Sequence, residues 1–151
     1  MHEVKIKVKS IEKIKKQLKK IGAEFVEEQK EIDTYFNQVK GNVLKIREGG
    51  KGDMLFKINT EGKTFTEETE DISDTEETKK KLTKLYGIRC IIKKKRYFYI
   101  YKNLDVSIDC VKDIGCFLVI EGDNPEKLLE ILGYSKNDII PKSFCEIFLE
   151  K

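Results

Sequence analysis

Three short stretches place charged or polar side chains at every second position. Glu3, Lys5, Lys7 and Lys9 alternate with Val4, Ile6 and Val8; Lys45 and Arg47 alternate with Leu44 and Ile46; Ser107 and Asp109 alternate with Val106, Ile108 and Cys110. Side chains of an extended chain point to opposite faces with period two, so each stretch puts charge on one face and apolar bulk on the other. The chemistry on offer is the holding of charge rather than covalent attack by a histidine-activated nucleophile. His2 is the only histidine, which removes His-based triads and multi-histidine metal sites.

One such strand could simply be the wetted side of an antiparallel sheet. Recurrence argues for more. If several strands share a charged face and the sheet curls closed, that face lines an interior, and the apolar faces need covering by amphipathic helices. A polar tunnel is the expected result.

The elements needed to build it are readable in order. Ser10 caps a helix in which Ile11, Ile14, Leu18 and Ile21 recur at helical spacing, stopped by Gly22. Residues 23–37 read as extended chain with a charged interruption, and Gly41-Asn42 turns into a strand over 43–47. The segment Glu48-Gly49-Gly50-Lys51-Gly52-Asp53 is glycine-rich but lacks a Gly-Lys-Ser/Thr signature and a following helix, so it reads as a hairpin turn into a strand over 54–58. After a turn over 59–62, a strand spans 63–72. Asp74 or Thr75 caps a second helix, with Glu76 and Glu77 early and Lys79, Lys80, Lys81 and Lys84 late, ended by Gly87. Strands over 88–101 and 104–111 flank Lys102-Asn103, and another covers 116–121. Asn124 as cap and Pro125 at the first helical position open a helix over 126–132, and 137–151 reads as a short helical tail interrupted at Pro141. The count is roughly eight strands and three or four helices.

The totals fit a single domain of 151 residues. Lys and Arg number 30 against 27 Asp and Glu, too balanced to diagnose a nucleic-acid binder. The run Lys93-Lys94-Lys95-Arg96 with Tyr97, Phe98, Tyr99 and Tyr101 suggests a single-stranded RNA surface, but alternation divides these residues between two faces. Cys90, Cys110, Cys116 and Cys145 show no metal-binding spacing and are expected as separate small buried apolar residues. No apolar stretch reaches membrane-spanning length and no signal peptide opens the chain, so a soluble cytoplasmic protein with no membrane partner is expected.

The ordered set of pieces resembles the CYTH superfamily of triphosphate tunnel metalloenzymes, which includes class IV adenylate cyclases and thiamine triphosphatases. The resemblance covers nearly the whole chain. Glu3-Val4-Lys5-Ile6-Lys7 matches the family's Glu-x-Glu-x-Lys strand. Asp33-Thr34-Tyr35-Phe36, Leu44-Lys45-Ile46-Arg47, Phe56-Lys57, Lys94-x-Arg96, Ile108-Asp109-x-Val111, Ile114-Gly115-Cys116-Phe117, Ile120-Glu121 and Ser143-Phe144 follow in the family's order.

The resemblance implies an α+β fold in which eight antiparallel strands close into a barrel around a triphosphate, with helices packed outside. It implies Lys7, Lys45, Arg47, Lys57, Lys94 and Arg96 as phosphate contacts, Glu3 and Glu121 as ligands for Mg²⁺ or Mn²⁺, and Asp109 and Glu67 as supporting acids. Glu3, Lys7 and Glu121 are the expected catalytic residues. ATP, thiamine triphosphate and inorganic polyphosphate are the implied ligand types, with cyclisation or hydrolysis as the reaction.

The chain also departs from the pattern. Lys5 stands where the second glutamate of the first strand belongs, and Val119 where the family's other Glu-x-Glu pair begins. Phe65-Thr66-Glu67-Glu68-Thr69 keeps little of an Arg-x-Glu-x-Glu strand. One ion is still supportable, because Mg²⁺ is commonly held by one or two carboxylates plus substrate oxygens and water. Lys5 is expected either to replace part of a metal's charge and contact phosphate directly, or to point to solvent at the barrel rim. The alternative to an enzyme is a nucleotide- or polyphosphate-binding module with weakened catalysis. Turnover sensitive to Glu3 and Glu121 distinguishes the first, and stabilisation without turnover the second.

Overall fold

The computed structural model describes residues 2–39, 41–50, 52–61 and 63–151. The elements are β1 (His2–Val8), α1 (Ile11–Lys20), β2 (Glu24–Phe36), β3 (Asn42–Gly49), β4 (Met54–Glu61) and β5 (Thr64–Asp71). They continue with α2 (Thr75–Tyr86), β6 (Ile88–Tyr101), β7 (Leu104–Val111), β8 (Gly115–Gly122), α3 (Glu126–Ile131), a 3₁₀ turn (Lys136–Asp138) and α4 (Phe144–Leu149). The sequence reading placed most of these to within a few residues. Lys51 and Gly62, expected in turns, lie outside the described residues.

The caps follow from local chemistry. Ser10 Oγ accepts from the Lys13 amide and Asp74 Oδ1 from the Glu77 amide, each satisfying a donor that the helix start leaves unpaired. At α3 the expectation shifts by one residue: Pro125 occupies the capping position and makes no side-chain cap bond, while Asn124 turns the chain at φ 52°.

The eight strands close on themselves in the order β1-β5-β4-β3-β2-β6-β7-β8, all neighbours antiparallel. Closure uses unequal seams. β1 matches β8 from His2↔Gly122 to Val8↔Cys116, but meets β5 only at His2↔Thr66 and Glu3↔Phe65. Beyond Glu3 the C-terminal segment takes over that edge: Ile6 bridges Ile139, and the Ile140 amide donates to the Lys5 carbonyl. The β2–β3 register also needs a glycine. Gly49 lies opposite Glu31 with φ 114°, and a side chain there would run into the Lys30 carbonyl.

Two apolar layers lie outside the barrel. Val4, Ile6, Val8, Val106, Ile108, Leu118 and Ile120 pack under Ile14 and Leu18 of α1 and Leu128 and Leu129 of α3. Phe36, Leu44, Ile46 and Leu55 pack with Leu82 of α2. A third cluster lies within the barrel at one end, where Phe144 and Cys145 of α4 meet Tyr35, Phe56, Ile92, Phe117 and Val119. Three helices therefore cover the outside as expected, and the fourth stops one end of the bore. The cysteines correct the sequence reading: Cys90 is disulfide-paired with Cys145 and Cys110 with Cys116. Register and helix docking bring them together, neither of which spacing reveals.

Candidate functional site: a charged tunnel

Alternation fixes which side chains enter the bore. Ile46 and Leu44 face outward under α2, so Lys45 and Arg47 of β3 face inward; Ile6 and Val4 face outward, so Glu3 and Lys5 face inward. Lys94 and Arg96 enter from β6, and Glu121 from β8. These side chains line one cavity of about 280 Å³. A small cavity with several converging cations suits a compact polyanion.

The basic residues are buried and oriented by buried acids. Asp33, wholly buried, accepts from Arg47 Nε at 2.9 Å, from the second guanidinium nitrogen at 3.0 Å, from Lys45 at 2.9 Å and from Lys94 at 3.2 Å. Asp109 accepts two bonds of 2.8 Å from Arg96. Bidentate pairing fixes the plane of each guanidinium. Burial alone would raise both aspartates, but Arg47, Lys45 and Lys94 outweigh it at Asp33, and Arg96 and Lys94 do so at Asp109, so both carboxyls lie below their usual range. Burial lowers Lys94 most, with Arg47 and Arg96 adding to it, and the ammonium is pushed down to about 7.

Lys5 does not lie at a solvent rim. It is 3% exposed, its Nζ donates to the Lys142 carbonyl at 2.8 Å, and it sits 4.2 Å from the Phe144 ring centroid. Burial pushes it down to about 8. Phe144 thus forms a floor under both Lys5 and Lys94, the latter 5.2 Å from the same ring.

Carboxylates gather on another wall. Glu3, Glu67 and Glu121 each offer an oxygen within 4.8 Å of the others, the group among the described residues with the makings of a cation site. Burial, followed by a hydrogen bond and charge from Glu67, pushes Glu121 up to about 9. Crowded acids of this kind need a proton or a cation between them.

Two expected phosphate contacts fall elsewhere. Lys57 is exposed on the outer face, because Phe56 and Ile58 on either side of it face inward. Lys7 shares the register of Glu3 and Lys5 but is exposed. At its height the bore is filled by Phe117 and Phe144, with ring centroids 5.1 Å apart, and Lys7 stands beyond that plug beside Ile114, Ile140 and Lys142. Neither reaches the cavity that holds Lys45, Arg47, Lys94 and Arg96. The sequence reading assigned no role to Glu31, Asp33, Tyr35 or Phe144. Alternation with Ile32, Thr34 and Phe36 carried the signal for the first three.

A family model described as "CYTH domain" matches residues 1–144. A Methanocaldococcus jannaschii protein named "Putative adenylate cyclase MJ0240" is 32% identical over an alignment of 169 positions that covers 96% of this chain and 96% of that one. The solved structure of PH1012 from Pyrococcus horikoshii OT3 superposes with a TM-score of 0.87 at 24% identity, covering 97% of this chain and 99% of that one. HpAC1 from Hippeastrum, described as a "putative adenylyl cyclase" with a dominant triphosphatase activity, shares the fold at a TM-score of 0.67 and 13% identity, over 99% of this chain and 95% of that one.

Proposed function

Because the chain belongs to the CYTH domain family, we propose that its tunnel binds the triphosphate of a small molecule and promotes cleavage or cyclisation at phosphorus. The observation that carries this reading is the convergence of Lys5, Lys45, Arg47, Lys94 and Arg96 on one 280 Å³ cavity with a three-carboxylate wall. Phosphoryl transfer asks little covalent chemistry of a protein. It asks for fixed positive charge around oxygens whose own charge shifts as the P–O bond breaks. Guanidinium groups already aligned by Asp33 and Asp109 supply that charge without reorganising.

Glu3, Glu67 and Glu121 fit one divalent cation such as Mg²⁺ or Mn²⁺: they are hard oxygen donors, mutually close, and burdened by one another's charge. When bound, such an ion would neutralise phosphate charge and act as a Lewis acid. The protein's own part is to hold the phosphate chain against the basic wall, with Phe144 closing the floor. Lys5 and Val119 lie in the cavity where the family's pattern has glutamates, which supports a one-ion site and keeps the binding-module reading in play.

The test offers ATP, thiamine triphosphate and tripolyphosphate to the purified protein with Mg²⁺ or Mn²⁺, following products by chromatography and melting temperature in parallel. Release of phosphate, diphosphate or cyclic AMP that is lost in Glu121→Gln establishes the enzyme. Stabilisation by these ligands without product makes the protein a binding module, and the absence of both effects removes the triphosphate assignment.

A further inference from the structure

Glu31 differs from the other acids of the bore. It faces inward from β2 two residues before Asp33 and is 5% exposed. Its Oε1 lies 3.4 Å from Arg47 Nε, 3.7 Å from Lys94 Nζ and 3.8 Å from Arg96 Nε, yet it accepts no hydrogen bond among the described residues. The guanidinium Nε–H groups nearest to it are committed to Asp33 and Asp109. A buried carboxylate oxygen without a donor is costly, so charge rather than hydrogen bonding holds it there.

We infer that Glu31 is a resident counter-anion: it does not line the 280 Å³ cavity itself but sits beside Arg47, Lys94 and Arg96, which do, and it competes for their charge with a ligand's phosphoryl group. It offsets three converging cations and keeps them in place. When a phosphate arrives, Glu31 either withdraws or repels it, and in both cases affinity is reduced and release is eased. Glu31 is in this sense a positioning residue, acting through the three cations. The inference rests on the triphosphate reading of the tunnel.

The experiment titrates inorganic tripolyphosphate into wild type and Glu31→Gln by calorimetry, with melting temperatures taken with and without the anion. Neutralising Glu31 should tighten tripolyphosphate by about tenfold, lower the melting temperature of the anion-free protein, and enlarge the anion-induced rise. Glu31→Asp, which keeps the charge but draws it back from the cations, should retain more anion-free stability and tighten binding less. A merely structural Glu31 would lower stability and leave affinity equal or weaker in both variants, overturning the inference. If Glu31→Gln does not fold without anion, the aspartate variant and recovery of the glutamine variant in tripolyphosphate decide the question by the same criterion. Wild type that binds tripolyphosphate with no change on substitution defeats this inference alone. Wild type that does not bind it defeats the tunnel reading as well.

Discussion

At the scale of single residues, Lys94 is the group whose charge is least secure. Burial and two neighbouring guanidinium groups push it down to about 7, although Asp33 and Asp109 lie close by. A lysine with a lowered pKa carries its ammonium below that value and loses it as pH rises through it. Tripolyphosphate affinity should therefore fall by about tenfold or more between pH 6 and 8.5, measured by calorimetry, and Lys94→Arg should flatten the dependence because guanidinium stays charged. Lys5 is the residue to exchange for the family's acid. Lys5→Glu removes an ammonium from the cavity and adds a carboxylate two positions from Glu3, so tripolyphosphate binding should become dependent on Mg²⁺ by about tenfold or more. Titrations with and without the metal check this, and equal dependence in both proteins would count against a charge-replacing role.

At the scale of elements, α4 is short but seals a wall. Its Ser143 cap and Glu146 bond reciprocally, and its Phe144 ring packs on Phe117 while flooring Lys5 and Lys94. Phe144→Ala should cost about 3–5 kcal/mol of stability, read by denaturant unfolding, and weaken tripolyphosphate binding by leaving the two lysines without their floor. How far the elements were legible beforehand depended on what each signal encodes. Alternation names a face, which is why Glu3, Lys5, Lys45 and Arg47 were expected on one interior; Lys94 and Arg96 came from the family resemblance, and the structure places them in the same bore. It does not name a height along the bore, so Lys7 lands beyond the plug. Lys57 came from family order, against the alternation of its own neighbours Phe56 and Ile58. Glu31 fell in a charged interruption and Asp33 was matched to a family motif without a role, because the value of both lies in cations contributed by β3 and β6. The cysteine pairs depend on the docking of α4 and the β7–β8 register, and no periodicity records either.

At the scale of the whole molecule, the barrel encloses a set of opposite charges that stabilise one another only while ionised. Asp33 and Asp109 have carboxyls held below their usual range, so their contribution is fully present above the ordinary aspartate pKa and is lost as pH falls below it. The melting temperature should drop as pH falls below about 4, more steeply than in Asp109→Asn, which is already destabilised at neutral pH by an uncompensated Arg96. Scanning calorimetry across that range measures it. The unequal seams bear on a different matter, the order of events in time. β1 is synthesised before all of its partners, which are residues 65–66 of β5, residues 116–122 of β8 and Ile139. Until β8 has been synthesised, the first strand has at most the two-residue contact with β5. Contacts so distant in sequence slow the search for the native state and leave hydrogen-bonding edges open to other chains. The strand that later supplies Glu3 and Lys5 to the interior is thus an open edge in the nascent protein.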